Sequence, residues 1–132
     1  AAKTKYSITY AEKNWGDAYG LRAAYVSNAA GNFTYPDSGA VSAFLGEAKQ
    51  DANGIVTYDY GTKVAGAYTL GIISYMLVET EYKDKAQGAA VKQLAEHILS
   101  PACSAVDPKL GYVVVSGTFL DKAKAQIAKM NK

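Results

Sequence analysis

Hydrophobic and polar positions in the first quarter of the chain predict short elements separated by turns. Between residues 6 and 10, aromatic and aliphatic side chains alternate with Ser7 and Thr9, and alternation of this kind is typical of a strand. The pattern then becomes helical, and Gly20 is suited to end that helix. A second β-like run at Ala23–Asn28 leads into the turn-rich letters "NAAGN". The sequence therefore predicts a strand, a short helix and another short strand.

The next segment predicts a helix that starts near Pro36. Proline is accepted in a first helical turn, and the neighbouring Asp37 favours the positive end of the helix dipole. The apolar residues that follow at helical spacing are Val41, Phe44, Leu45 and Ala48. The segment should therefore pack one face against a core.

An uninterrupted apolar run, Leu70–Val78, has the composition of a buried strand. It is rich in β-branched, aromatic and aliphatic residues and contains no breaker after Gly71. Continuous rather than alternating hydrophobicity indicates burial on both faces. We therefore expect this run to be the central strand of a sheet.

The remaining residues predict two amphipathic helices. Pro101 should stop the first, and Thr118 and Asp121 stand at capping-box-like spacing at the start of the second. Lys129 and Lys132 suit the negative end of the second helix dipole. The predicted buried positions are Val91, Leu94, Ala95 and Ile98 in the first helix, and Phe119, Ala123, Ile127 and Met130 in the second.

Length and charge limit the class of protein. The chain has 132 residues, 49% of them hydrophobic, which suits one α/β unit spanning residues 1–132. Its 14 basic and 12 acidic residues do not produce the one-sided positive field of a nucleic-acid-binding protein, so no nucleic-acid partner is expected. No apolar run approaches the ~18 to 20 residues of a membrane-spanning helix.

Two residues allow chemistry that depends on the cellular compartment. Cys103 is the only cysteine, and three interpretations stay open: a small buried hydrophobe, a free thiol, or half of a bridge to a residue outside these 132. The letters Asn32-Phe33-Thr34 form a glycosylation sequon, which matters only if a eukaryotic cell secretes the chain.

The sequence does not predict catalysis or a metal site. His97 is the only histidine and falls on the polar side of a predicted helix, away from any partner that a nucleophilic site would require. One histidine and one cysteine cannot supply a four-ligand soft metal site, and the carboxylates are dispersed. We interpret Glu79 and Glu81 as solvent-exposed residues at the end of a strand. We therefore expect a non-catalytic protein without a cofactor.

One short segment has the composition of an anion-binding loop. Ser116, Gly117 and Thr118 precede the last predicted helix, where free backbone N–H groups and the helix dipole both favour negative charge. The same residue types are ordinary N-caps. Capping alone and weak oxyanion binding both remain open for these three residues.

The order of the segments resembles the C-terminal half of a known family. "YSITYAEKNWGDAYGLRAAYVSNAAGNFTYPDSGAVSAFL", "AYTLGIISYMLV", "GAAVKQLAEHIL" and "LGYVVVSGTFLDKAKAQIAKM" resemble, over essentially the whole chain, the phosphate-binding subunit of bacterial phosphate ABC transporters. Its characteristic blocks are an N-x-A-G-x-F-x-x-P-[ST] lead into a helix and a Y-P-[IL]-x-x-x-[ST]-Y-x-L-[VI] strand. Thr69 replaces the proline of the second block, and Ser116-Gly117 replaces a terminal Leu-Pro.

The resemblance implies a partial type II periplasmic-binding-protein fold, a mixed sheet flanked by helices, in an extracytoplasmic protein located in the periplasm, on the cell surface or secreted. It implies phosphate or a similar oxyanion as ligand, with the anion-gripping motifs in an N-terminal half that precedes this chain. That half and the membrane permease would be its partners. The alternative hypothesis is a stand-alone secreted structural protein that reuses this fold fragment and associates with itself, through the run that ends in "GIISYMLV".

Overall fold

The computed structural model describes residues 1–131, and for residues 107 and 109 only the backbone. The predicted dipole contact of Lys132 therefore lies outside the described residues. The part described contains five α-helices and one 3₁₀ helix at Asp107–Leu110. The α-helices are α1 (Lys13–Ala18), α2 (Ser38–Gly46), α3 (Lys85–Ile98), α4 (Pro101–Ser104) and α5 (Gly117–Ile127).

Two short antiparallel sheets accompany these helices. In the first, β1 (Val26–Ser27) pairs with β2 (Phe33–Thr34), and in the second, β3 (Lys49–Gln50) pairs with β4 (Val56–Thr57). The general α/β class is confirmed. The predicted mixed sheet flanked by helices is wrong for residues 1–131, because both ladders are two-residue hairpin pairings and no third strand joins them.

Contacts between residues are concentrated in two units. Unit 1 comprises Ala1–Glu47 with Asp59–Gly71, and unit 2 comprises Ala48–Tyr58 with Ile72–Lys132. The prediction that residues 1–132 form one α/β unit stays a prediction.

Asn28 is the polar centre of unit 1. Its side chain is buried, with 7% of the residue exposed. The Nδ2 group donates to three carbonyl oxygens of the loop at residues 62–67, at distances of 3.2, 3.0 and 3.1 Å. The Oδ1 atom accepts from the backbone N–H groups of Ala30 and Asn32, both at 3.1 Å. One amide therefore joins the turn between β1 and β2 to a loop more than thirty residues away.

A buried hydroxyl strengthens the same junction. Thr34 is 8% exposed, and its Oγ1 donates to the carbonyl oxygens of Val26 and Ala67, each 3.2 Å away. The Val26 contact crosses the hairpin, and the Ala67 contact reaches the loop that Asn28 also holds. Buried polar groups with partners of this kind fix one arrangement of the chain.

Phe44 of α2 is the largest buried side chain of unit 1 and is only 1% exposed. Its ring lies 5.7 Å from the Tyr60 ring, centroid to centroid. A Cβ added to Gly71 would lie 2.9 Å from Cγ1 of Val41 and 3.5 Å from Cδ1 of Phe44, so the chain passes closely over this side chain. The prediction that α2 buries one face is confirmed at Phe44.

The start of α2 differs from the prediction. Asp37 is the N-cap, and its carboxylate accepts from the backbone N–H of Ala40 at 2.8 Å. Pro36 therefore precedes the helix and does not lie in its first turn. Ala48 lies beyond the last helical residue, Gly46, so it is not part of the helix face. Asp37 ends up as the cap because its side-chain oxygen satisfies a first-turn donor.

Residues 6–10 do not form the predicted strand. They carry no regular structure, and Tyr6, Ile8 and Tyr10 are almost completely exposed. A segment of alternating apolar and polar residues forms a strand only when a neighbouring strand completes the hydrogen-bonded ladder. No such neighbour lies within residues 1–131. The helix predicted to follow is confirmed as α1, and Gly20, at a φ of 67°, provides the left-handed turn that ends it.

The Leu70–Val78 run is not a central strand buried on both faces. Residues 71–79 have no strand, helix or turn geometry, and Leu77 is 92% exposed. Within unit 2, two tyrosine hydroxyls accept backbone bonds in place of a ladder: Tyr58 from the N–H of Ile73, and Tyr75 from the N–H of Val56, both at 2.8 Å. We call this pair of bonds the tyrosine clasp. The hydrophobicity is strand-like, but the ladder is missing.

Helix α3 is confirmed, and Pro101 both follows it and begins α4. The predicted apolar face is only partly buried: Ala95 is buried, whereas Leu94 and Ile98 are exposed. The backbone N–H of Asn131 donates to the Thr80 carbonyl at 2.8 Å. A Cβ on Gly88 would lie 2.5 Å from Oδ1 of Asn131, so the residues after α5 pack tightly against α3.

The N-cap of α3 provides a direct test of its local stability. The Asp84 carboxylate accepts from the backbone N–H groups of Ala86 and Gln87, at 2.9 and 3.1 Å. We expect Asp84→Ala to lower the free energy of unfolding by about 1 kcal/mol, because two first-turn donors lose their acceptor. Asp84→Asn keeps an acceptor oxygen and should stay close to the wild type. Urea unfolding followed by circular dichroism measures both, and an unchanged midpoint for Asp84→Ala would contradict this role.

Candidate functional site

The three predicted anion-site residues lie together at the start of α5. Ser116 is the N-cap in extended conformation, and its side chain makes no capping hydrogen bond. Gly117 is the first helical residue, at a φ of 56°, a value that side-chain-bearing residues rarely adopt. All three residues are exposed. The first-turn N–H groups have no intrahelical acceptor, and the Ser116 side chain does not supply one.

This geometry corrects the capping predictions. Thr118 is the second residue of α5, so the predicted capping box of Thr118 and Asp121 is wrong. Capping alone does not explain Ser116 either, because its hydroxyl does not satisfy any α5 donor. The backbone turns sharply at Gly117 and directs the chain into the helix without side-chain help. The oxyanion interpretation of these residues stays a prediction.

The nearest basic side chain in the sequence is already engaged elsewhere. The Lys122 ammonium donates to the carbonyl oxygens of Gln50 and Asp51 at the tip of the β3–β4 hairpin. Gln126 Nε2 donates to the Ala52 carbonyl at 2.9 Å. The positive charge that would most easily reach an anion at the start of α5 therefore holds the hairpin instead.

These hairpin contacts were missed by reasoning from the sequence. Lys122 and Gln50 are separated by 72 residues, and no motif links them. The Asp51 side chain accepts from the N–H groups of Asn53 and Ile55, so the loop turns on itself and presents its carbonyls outward. The Asn-Gly letters at residues 53 and 54 signalled that turn, but not its partner on α5.

No hydrogen bond joins the side chains of His97 and Cys103 in the part of the chain that the structure describes. His97 lies exposed on α3, as predicted. Cys103 is a free, half-buried thiol in α4, so it is not the fully buried hydrophobe of the first interpretation. Among the side chains that the structure describes, which exclude that of residue 107, no three from His, Cys, Asp and Glu are grouped as a metal ion would require. Glu79 and Glu81 are exposed, which agrees with a solvated exit from the apolar run.

Two groups of unit 1, Lys13 and Tyr68, have shifted pKa values. The hydrogen bond to Asp17 is the main reason that the pKa of Lys13 rises above its usual 10.5. Burial raises the pKa of the Tyr68 phenol above its usual 10.0. Both shifts move the groups further from neutral pH. Neither group therefore becomes a proton-transfer group under physiological conditions.

A groove of about 340 Å³ lies between α3 and α5 within unit 2. Its lining combines both signs of charge with aliphatic side chains, namely Lys92, Glu96, Leu99, Lys124, Ile127 and Ala128. Lys92 Nζ also donates to the Met130 carbonyl at 3.4 Å. A lining of mixed charge without a buried, convergent polar group does not define a ligand class.

Comparison with known proteins gives no further identification. No protein-family model matches the chain, and no curated protein sequence is significantly similar to it. Among the helices that the structure describes, none has both the length and the apolar character to cross a membrane.

Proposed function

We propose that this chain is the C-terminal portion of an extracytoplasmic phosphate-binding protein that delivers its ligand to an ABC transporter. The proposal starts from the resemblance in segment order, in which the blocks at residues 28–38 and 68–78 carry most of the specificity. The chain acts by binding and not by catalysis. Its partners are an N-terminal half that supplies most anion ligands, and the membrane permease.

The observation that carries this proposal is the amount of surface left exposed. The accessible surface is 9459 Å², whereas two separate folded bodies with the sizes of unit 1 and unit 2 would together expose only about 8,100 Å². Large hydrophobic side chains contribute to the exposed surface, and the most exposed of them in unit 1 are Tyr6, Ile8 and Tyr10. A strand-like apolar segment without a neighbour is what a protein leaves when another part completes its sheet.

The start of α5 is expected to contribute only weakly to anion binding in this proposal. Its free N–H groups can attract an oxyanion, but one face of hydrogen bonds does not repay the loss of phosphate hydration. Tight binding requires opposing donors from a second lobe. In the family that the chain resembles, the anion-gripping motifs precede these residues, so Ser116, Gly117 and Thr118 would contribute little.

Calorimetric titration with phosphate tests the proposal. We expect the 132 residues alone to bind with a dissociation constant of about 1 mM or weaker, and a longer chain that includes the N-terminal half to bind at about micromolar concentration, a difference of ~4 kcal/mol. Sulfate provides a matched oxyanion for comparison. Failure of the longer chain to bind any oxyanion would refute the proposal.

Tight phosphate binding by the 132 residues alone would place the binding site within this chain. If the 132 residues alone bind phosphate at micromolar concentration, the ligands lie in this chain, and the start of α5 becomes the first place to search. Gly117→Ala then identifies the site, because alanine strains the backbone at a φ of 56°. Gly16→Ala is the matched control, since Gly16 lies in α1 and an added Cβ meets no atom within 4 Å.

The alternative function, a stand-alone secreted structural or self-assembling protein, is favoured by one observation. The segment Ile72–Val78 is apolar, exposed and without a ladder partner in unit 2. Concentration-dependent association of the isolated chain would support this alternative, and a strictly monomeric chain would count against it.

A further inference from the structure

The segment Ile72–Val78 of unit 2 has the properties of an unfilled strand edge. It has no helix, turn or bend, and its aliphatic and aromatic composition favours an extended conformation. Its apolar side chains at positions 72, 75, 76, 77 and 78 are between 37% and 92% exposed. The seven residues carry no charge. Neutral apolar segments of this length are the ones that pair with other strands.

The tyrosine clasp determines which edge of the segment is open. In an extended chain, the backbone groups of successive residues point to opposite edges. The N–H of Ile73 is bonded to the Tyr58 hydroxyl, so the odd-numbered edge is the one that Tyr58 contacts. The other edge carries the N–H and C=O groups of positions 72, 74, 76 and 78, which make no hydrogen bond with any of residues 1–131.

We propose that a second copy of this chain pairs with that edge, antiparallel and about a two-fold axis at Tyr75. Hydrogen-bonded pairs must then join even-numbered residues: Ile72 with the partner's Val78, and Ser74 with the partner's Met76. Tyr75 lies opposite the partner's Tyr75 in a non-hydrogen-bonded pair. This register uses the whole open edge and forms about eight backbone hydrogen bonds.

A second copy fits this edge because the edge is complementary to itself. A two-fold contact brings the same patch together from both subunits, and an uncharged segment meets no like charge when it does so. The flanking Glu79 and Glu81 lie past the paired residues and, in the antiparallel arrangement, at opposite ends of the ladder. Charge therefore opposes neither the pairing nor its direction.

The area available suits a small, concentration-dependent dimer. A fully exposed side chain of the larger types present offers about 200 Å². At the exposures of the five apolar side chains, pairing can cover at most about 600 Å² on each copy. The total of at most about 1,200 Å² is at the lower limit of specific interfaces. This inference does not depend on the phosphate proposal, since it concerns the chain's association with itself.

Sedimentation velocity over a range of concentrations tests the proposal. We expect the wild-type chain to form dimers, and Leu77→Lys to raise the dimer dissociation constant at least tenfold, because it places a charged ammonium group opposite the partner's apolar Ile73 in the ladder. Ser74→Pro should have a similar effect, because proline removes an N–H from the pairing edge. Leu94→Lys is the matched control: Leu94 is 52% exposed and lies on α3, outside the pairing segment, so its dimer should match the wild type.

A covalent trap tests the register. In a Cys103→Ala background, Tyr75→Cys should form a disulfide between copies under mild oxidation, because residues facing across a non-hydrogen-bonded pair have Cα atoms about 4.5 Å apart. Leu94→Cys in the same background should not. Three results overturn the proposal: a wild-type chain that is monomeric at every concentration, equal weakening by Leu94→Lys and Leu77→Lys, or no preference for the Tyr75→Cys disulfide.

Discussion

Replacing Asn28 with alanine is expected to lower the free energy of unfolding by about 3 kcal/mol. The reason is the number of groups that depend on one amide. Three carbonyl oxygens and two backbone N–H groups lie within 3.2 Å of its side-chain atoms, and alanine cannot replace any of these bonds. Chemical unfolding monitored by tyrosine fluorescence measures the loss.

Two further variants separate hydrogen bonding from shape at this position. Asn28→Asp keeps the volume and the acceptor, but a carboxylate cannot donate to three carbonyl oxygens, so a loss similar to that of alanine is expected. Asn32→Ala changes an asparagine in the same turn whose side chain is exposed, and it should stay within about 0.5 kcal/mol of the wild type. Equal losses for Asn28→Ala and Asn32→Ala would show that Asn28 is not the junction described.

The second large effect is expected from Phe44→Ala, at about 3 to 4 kcal/mol. Phe44 is 1% exposed and contacts the Tyr60 ring, and few other apolar side chains of unit 1 are buried. Truncation therefore removes most of the apolar packing around α2 and leaves a cavity. The same unfolding measurement gives the size of the effect.

Phe33→Ala is the natural comparison for Phe44→Ala. Phe33 belongs to β2 and is 72% exposed, so the same chemical change should cost less than about 0.5 kcal/mol. If both phenylalanine variants unfold at the same denaturant concentration, the core of unit 1 is not where the structure places it. A smaller loss for Phe44→Ala would mean that Tyr60 and its neighbours collapse into the cavity.

Elements that depend on local signals were predictable from the sequence. Helix α3 has its N-cap aspartate, its apolar spacing and its terminating proline within twenty residues, and α1 ends at Gly20 because left-handed backbone suits glycine. The run at Leu70–Val78 was not predictable in the same way. Its composition determines that it is apolar and extended, but a strand is defined by its neighbours, and composition cannot provide them.

The candidate site shows the same limit. Ser116, Gly117 and Thr118 are consecutive, so their position at the start of α5 followed from helix rules. The absence of a capping hydrogen bond from Ser116 could not be predicted from the sequence. Such a bond depends on the side-chain rotamer and on the backbone turn at Gly117. The engagement of Lys122 with the hairpin depends on packing between residues 72 positions apart. No local pattern encodes such a contact.

The buried Thr34 hydroxyl limits when a sugar could be added to Asn32. An enzyme that recognises the Asn-x-Thr sequon must reach both the asparagine amide and the threonine hydroxyl. In the folded chain Asn32 is exposed, but the hydroxyl is held between the carbonyls of Val26 and Ala67. In a host that glycosylates such sequons, carbohydrate would therefore have to be attached during synthesis, before β1 and β2 close, and a chain that folds first would keep Asn32 bare.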